Sequence, residues 1–273
     1  MNINFYAIKS AFAIWSRVFP SRCSPSLVKL LFTVRRNVYP FKKVPFPSST
    51  LYVENDTTLS HWRGESEKSI LLIHGWDGSG DQFSRILKGL LADNYSVYLV
   101  QPKGYGKSSS KLSNPGQFIK SIHSSLQYIN EPLVATIGHS MGAGAMLHVA
   151  SQNIDLGKLV SIAAPSDFTN ILKGFCNKLS VGKACQRLFL DNVEKEVRVS
   201  HSDLKLDAHM SKIPSPILLI HDENDSVLSY KNAESLNKSN AKTTLISTKN
   251  LGHNRILNSD YVFEQLLDFV KRD

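Results

Sequence analysis

The run Leu133 to Ala150, LVATIGHSMGAGAMLHVA, narrows the choice of fold more than any other stretch of the chain. It opens with a short apolar, partly β-branched segment, Leu133 to Ile137. It turns through Gly138-His139-Ser140-Met141-Gly142 and closes in small residues that can begin a helix. Strand, tight turn and helix in that order, with serine at the apex, force the serine backbone into a strained conformation. That strain pushes its hydroxyl out above the strand end. Glycine is needed on both flanks, because a Cβ there would collide with the neighbouring strand and helix. Gly-x-Ser-x-Gly alone occurs by chance; the strand before it and the helix after it make the signal specific.

The chain around this turn alternates between strand and helix patterns. Thr50–Val53 and Leu59–Trp62 flank the polar turn Glu54-Asn55-Asp56 and read as a hairpin. Ser69–Ile73, Ser96–Val100, Leu159–Ala163, Ile217–Ile220 and Thr243–Ile246 read as strands, several of them continuously apolar. Helical stripes lie between them. One is Phe83, Ile86, Leu87, Leu90 and Leu91, and another is Phe118, Ile119, Ile122, Leu126 and Ile129 behind an Asn114-Pro115 cap. The closing stripe is Val262, Phe263, Leu266, Leu267 and Val270. Repeated β-α units with buried strands imply a mostly parallel central sheet flanked by helices on both faces. At 273 residues and 42% hydrophobic, the chain can bury one sizeable core. Residues 166–213 break the rhythm: apolar residues lie among many charges with no strand run, which predicts a small helical insertion.

Net charge is +9, and its distribution is uneven. The first acidic residue is Glu54; before it come Lys9, Arg17, Arg22, Lys29, Arg35, Arg36, Lys42 and Lys43. The remainder is close to neutral, which argues against a nucleic-acid binder. Ile8, Phe12, Trp15 and Phe19 recur at helical spacing and predict an amphipathic N-terminal helix. Its basic residues read either as a solvated face or as a face for peripheral contact with anionic lipid or an acidic substrate. The segment makes a poor secretory signal, since Arg17 interrupts a short apolar stretch; its composition also resembles an organellar transit peptide. A second helix is predicted from Ser24, with Pro25 in its first turn and Leu27, Leu30, Leu31 and Val34 as its stripe. Pro40, Pro45 and Pro47 then mark a linker. This divides the chain into an N-terminal segment, 1–47, and a catalytic domain, 48–273, that carries the insertion. No apolar run reaches the roughly 18 residues that would span a bilayer. Cys23, Cys176 and Cys185 fit neither a metal site nor a disulfide framework, and so sparse an odd set points to a reducing, cytoplasmic setting.

A sheet of this kind binds ligands at the carboxyl ends of its strands. Four strand ends deliver chemistry: His74-Gly75-Trp76, Ser140, His221-Asp222-Glu223-Asn224-Asp225, and Gly252-His253. A serine hydroxyl is a poor nucleophile until a base takes its proton and an acceptor orients that base. His253 is the candidate base, and Asp222 and Asp225 compete as the orienting acid. Backbone N–H groups of Trp76 and Met141 are the candidate oxyanion donors. His74 and His139 read as shaping the turn or bonding backbone. With Trp76 and Phe168 they are also the candidates for lining a substrate pocket. The histidines lack metal-ligand spacing, so neither a metal nor a cofactor is expected. Gly104-Tyr105-Gly106-Lys107-Ser108 lacks the spacing of a phosphate loop.

Taken together, His74-Gly75-Trp76, the Ser140 turn, Asp225 in HDENDSVL and Gly252-His253 resemble the α/β-hydrolase superfamily over about residues 50–273. Within it, GHNRIL at 252–257 and LFTVRR at 31–36 are similar to a group of little-characterised bacterial hydrolases. The resemblance implies the α/β-hydrolase fold with a small helical lid at 166–213. It assigns the acid to Asp225, which the Val-Leu of the family's acid turn follows. Gln101, Tyr105 and Ser229 depart from the usual aspartate, histidine and proline of relatives, at positions outside the triad. The implied activity is serine hydrolysis of small carboxylic esters or thioesters through an acyl-enzyme. A serine nucleophile excludes the dehalogenase and epoxide-hydrolase branches, which need a carboxylate. An acyltransferase or carbon–carbon hydrolase with the same triad, and a non-catalytic binding protein on the same scaffold, remain the alternatives.

Overall fold

The structure, a computed structural model, describes residues 3–35 and 38–272; Arg36 of the basic segment lies outside the described residues. In chain order the elements are α1 (Ile3–Val18), α2 (Pro20–Phe32), β1 (Ser49–Val53), β2 (Thr57–Trp62), β3 (Ser69–Ile73), α3 (Ser84–Ala92), β4 (Ser96–Gln101), α4 (Pro115–Leu126), β5 (Leu133–His139) and α5 (Met141–Ala150). They continue with β6 (Lys158–Ile162), α6 (Phe168–Lys178), α7 (Lys183–Val197), β7 (Ile217–Asp222), α8 (Lys231–Lys238), β8 (Thr243–Thr248), α9 (Gly252–Arg255) and α10 (Asp260–Lys271). The chain divides into two compact units: Val34–Ser166 with Leu206–Asp273, and Met1–Thr33 with Asp167–Lys205.

The larger unit holds one eight-stranded sheet in the order β1-β2-β4-β3-β5-β6-β7-β8. β1 and β2 form the expected hairpin, with Asn55 and Asp56 at positive φ in its turn. β2 is antiparallel to both β1 and β4, and the remaining five pairings are parallel. The central strands read as continuous apolar runs because both faces are covered; all five residues of β3 are buried. Ile70, Leu72, Ile137, Val160 and Leu218 from the sheet pack with Ile86, Leu90, Val262 and Leu266 from α3 and α10. The Asn114 side chain accepts the Gln117 N–H at 3.0 Å and caps α4.

The stretch 38–48 lies on this unit. Phe41 and Val44 are buried in the core, Phe41 packs 5.6 Å from Trp62 between ring centroids, and the Asp81 carboxylate accepts the N–H groups of Lys42 and Lys43.

The smaller unit is helical, and α2 packs on α7 within it. Asn192 donates to the Ser24 hydroxyl at 2.8 Å, and Cys23, Leu27 and Val28 face this contact from α2 as buried residues. Pro20, not Ser24, opens α2. Proline is suited to a first helical position, where its missing N–H has no intrahelical partner in any case. Pro25 instead lies inside the helix, where it has no N–H to offer the carbonyl of exposed Ser21. Val34 does not continue the α2 stripe: its N–H donates to the Lys111 carbonyl in the larger unit. Cys23, Cys176 and Cys185 are free and buried, and burial pushes the thiols of Cys23 and Cys176 up to about 12.

Ile137 is fully buried at the centre of the sheet, whereas Leu51 on the edge strand is 40% exposed. Ile137→Ala is expected to cost about 2–5 kcal/mol and Leu51→Ala well under about 1 kcal/mol. Urea unfolding, read as a shift in midpoint at unchanged slope, checks the difference.

Candidate active site

The strand order reverses its direction of growth between β3 and β5, so the loops leaving these two strands diverge and open a crevice at their carboxyl ends. Ser140 stands there, between β5 and α5, with φ 51° and ψ −117°. Its N–H donates to the Ile162 carbonyl at the end of β6. A Cβ on Gly142 would fall 2.3 Å from the Ile73 carbonyl oxygen, and one on Gly138 would fall 2.5 Å from Cα of Ala143. Both obstacles are backbone, so strand and helix meet at this distance only because those positions are glycine.

β7 ends at Asp222, and the turn after it carries Asp225. One Asp225 carboxylate oxygen accepts the N–H groups of Val227 and Leu228 at 2.7 and 2.9 Å. The other lies 2.6 Å from His253 Nδ1 and 3.4 Å from His221 Nε2. Burial works to raise this carboxyl, but the hydrogen bonds from His221, His253 and Leu228 outweigh it and hold the group well below the usual carboxylate range. An ionised Asp225 is acceptor-only, so His253 carries its proton on Nδ1 and donates it there. His253 Nε2 is then an acceptor, and the Ser140 hydroxyl donates to it across 2.9 Å.

Asp222 faces elsewhere. It accepts from the Asn224 N–H at 3.0 Å, the Thr248 hydroxyl at 2.7 Å and the Leu251 N–H at 3.0 Å. It ties β7 to the end of β8 and to the loop that presents His253. The two aspartates therefore act on the same histidine by different routes, one through its ring and one through the loop that precedes it.

His139 braces the same loop from the other side. Its Nε2–H donates to the His253 carbonyl at 2.9 Å, and its Nδ1 accepts from the Gln82 amide at 2.9 Å. Burial, with the neighbouring His253 second, pulls this imidazole down to about 3, so it holds its place uncharged. His74 is fully buried; its Nδ1–H donates to the Gly75 carbonyl at 2.8 Å, and burial lowers it to about 4. Trp76 occupies a turn closed by the bond from the Gly78 N–H to the Gly75 carbonyl at 3.0 Å. That turn lies against the serine: a Cβ on Gly75 would be 3.0 Å from Cβ of Ser140. Met141 is the first residue of α5. Phe168 belongs to the helical unit, where it opens α6 with its ring buried. The role of Gln82 as partner of His139 was not legible beforehand, because nothing local marks a glutamine in a 3-10 turn as the partner of a distant histidine. Among the described residues no cluster of His, Cys, Asp or Glu could hold a metal. No helix among them is long and apolar enough to cross a membrane.

Comparison with known proteins places this geometry. The profile of a family described as alpha/beta hydrolase fold matches residues 68–182. No curated protein matches the sequence. Among solved structures, the esterase Pf2001 of Pyrococcus furiosus superposes with a TM-score of 0.68 at 18% identity, over 88% of this chain and 98% of that one. A bacterial membrane phospholipase A gives 0.62 at 15% identity, over 99% of this chain and 97% of that one. An esterase of Exiguobacterium antarcticum gives 0.60 at 20% identity, over 82% and 99%. With its mostly parallel eight-stranded sheet flanked by helices, the chain has the α/β-hydrolase fold.

Proposed function

We propose that the protein is a serine hydrolase that cleaves carboxylic esters, or thioesters, through an acyl-enzyme on Ser140. The observation that carries this reading is the unbroken proton path from the Ser140 hydroxyl to His253 Nε2 at 2.9 Å and from His253 Nδ1 to Asp225 at 2.6 Å. As Ser140 attacks the acyl carbon, His253 takes its proton and becomes an imidazolium. Asp225 stabilises that charge and keeps the ring in the reactive tautomer. The tetrahedral oxyanion is met by the N–H groups of Trp76 and Met141, the latter at the positive end of the α5 dipole. Collapse expels the alcohol or thiol, which receives the proton from His253. Water, deprotonated by the same histidine, then frees the acid and restores Ser140. The names of the similar structures, two esterases and a phospholipase, support ester bonds as the substrate class.

A fluorophosphonate probe is expected to label the native protein and to leave Ser140→Ala unlabelled; a folded native protein that takes no label would sink the reading. The aspartates are expected to separate by observable. Asp225→Asn should lower kcat on a p-nitrophenyl ester by about 10⁴-fold, because it inverts the histidine tautomer. Asp222→Asn, which places an amide N–H₂ among three donors, should chiefly lower the melting temperature, by the equivalent of about 1–3 kcal/mol. Gly142→Ala should lower both, since the added methyl meets immovable backbone beside the nucleophile.

A further inference from the structure

We propose that α1 is a docking helix that lays its exposed apolar face on an anionic bilayer surface. The helix is inverted relative to an ordinary surface helix. Ser16 points inward: it is fully buried, donates to the Ala13 carbonyl and accepts the Gly182 N–H at 2.9 Å. Ile8, Ala11, Ile14, Trp15, Val18 and Phe19 point outward, and all six are exposed. Ile14 is 67% exposed, Val18 58% and Phe19 51%. At 3.6 residues per turn the five on α1 fall within an arc of roughly 120°, a continuous apolar stripe that Phe19 extends at the junction with α2. A soluble protein that merely needed a helix here would turn this stripe inward and Ser16 outward.

Charge selects the occupant. Lys9 and Arg17 on α1 and Arg22 and Lys29 on α2 make this segment basic, and no acidic residue precedes Glu54. The Arg22 guanidinium lies 5.9 Å from the centroid of the Phe19 ring, which places a cation at the end of the stripe. Apolar and aromatic side chains bordered by cations match a surface of acyl chains under anionic head groups. A second copy of the same stripe would bring cation against cation with no carboxylate between them. With 16 residues, α1 is shorter than the roughly 20 needed to cross a bilayer, so it lies on the surface rather than through it.

The test is flotation of the full chain with vesicles of phosphatidylcholine alone and of phosphatidylcholine mixed with phosphatidylglycerol. The native chain is expected to float with the mixed vesicles, less with the neutral ones, and less again at high salt. The double variant Ile14→Ser/Val18→Ser, altered only at exposed positions, should keep the native melting curve and lose about tenfold or more in partitioning. Flotation of the variant equal to the native chain would overturn the proposal, as would failure of the native chain to float. So would a native dimer in sedimentation that the same two substitutions dissolve, because a second copy would then be what covers the face. None of these readouts depends on catalysis, so the proposal fails or stands apart from the hydrolase reading.

Discussion

A non-glycine residue at φ 51° is a strained residue, and here it is Ser140. Such a backbone costs about 1–3 kcal/mol and survives only where its surroundings over-determine it. The surroundings are β5 on one side, α5 on the other, and a hydrogen bond from the Ser140 N–H to Ile162 on the next strand. The turn cannot relax, because Ile73 and Ala143 stand where its glycines pass. The strain keeps the hydroxyl off the sheet and the first amides of α5 beneath it. Every other feature of the site is arranged relative to that fixed point.

The base is held with comparable redundancy. Its ring answers to Asp225, its carbonyl to His139, and the loop before it to Asp222. Three elements thereby share the work: β5 through His139, β7 and the turn after it through Asp222 and Asp225, and β8 through Thr248. A buried carboxylate is expensive unless its oxygens are satisfied, and both aspartates meet that condition through backbone N–H groups as well as side chains. The neutral state of His139 matters for the same reason. A second positive imidazole beside His253 would oppose the charge that the proposed catalysis must create there.

Much of this was legible in the chain because the physics is local. The strands of the sheet are continuous apolar runs bounded by glycine, proline and polar turns, and each predicted strand core is present with its ends shifted by a residue or two. The elbow announces itself by its flanking glycines. What local pattern did not carry was anything decided by distant partners. Asp222 and Asp225 are equivalent in the sequence until the position of His253 is known, and family resemblance, not spacing, separated them. Ser24-Pro25 and Phe19-Pro20 both read as openings of α2; the choice follows from packing on α7, which buries Ser24 inside the helix. The orientation of α1 was equally hidden. Periodicity finds a stripe but does not say which side of it faces the protein.

The helical unit has a further property that concerns time rather than space. It is assembled from two segments far apart in the chain, and Ser24 and Asn192, which meet across it, are 168 residues apart. A ribosome adding about 5–20 residues per second completes α1 and α2 on the order of ten to thirty seconds before α7 exists. During that interval Leu27, Val28 and Cys23 have no partner from the insertion, and the larger unit's sheet begins to form behind them. Those side chains meet their partners only once α7 has been made, so the helical unit closes late in synthesis.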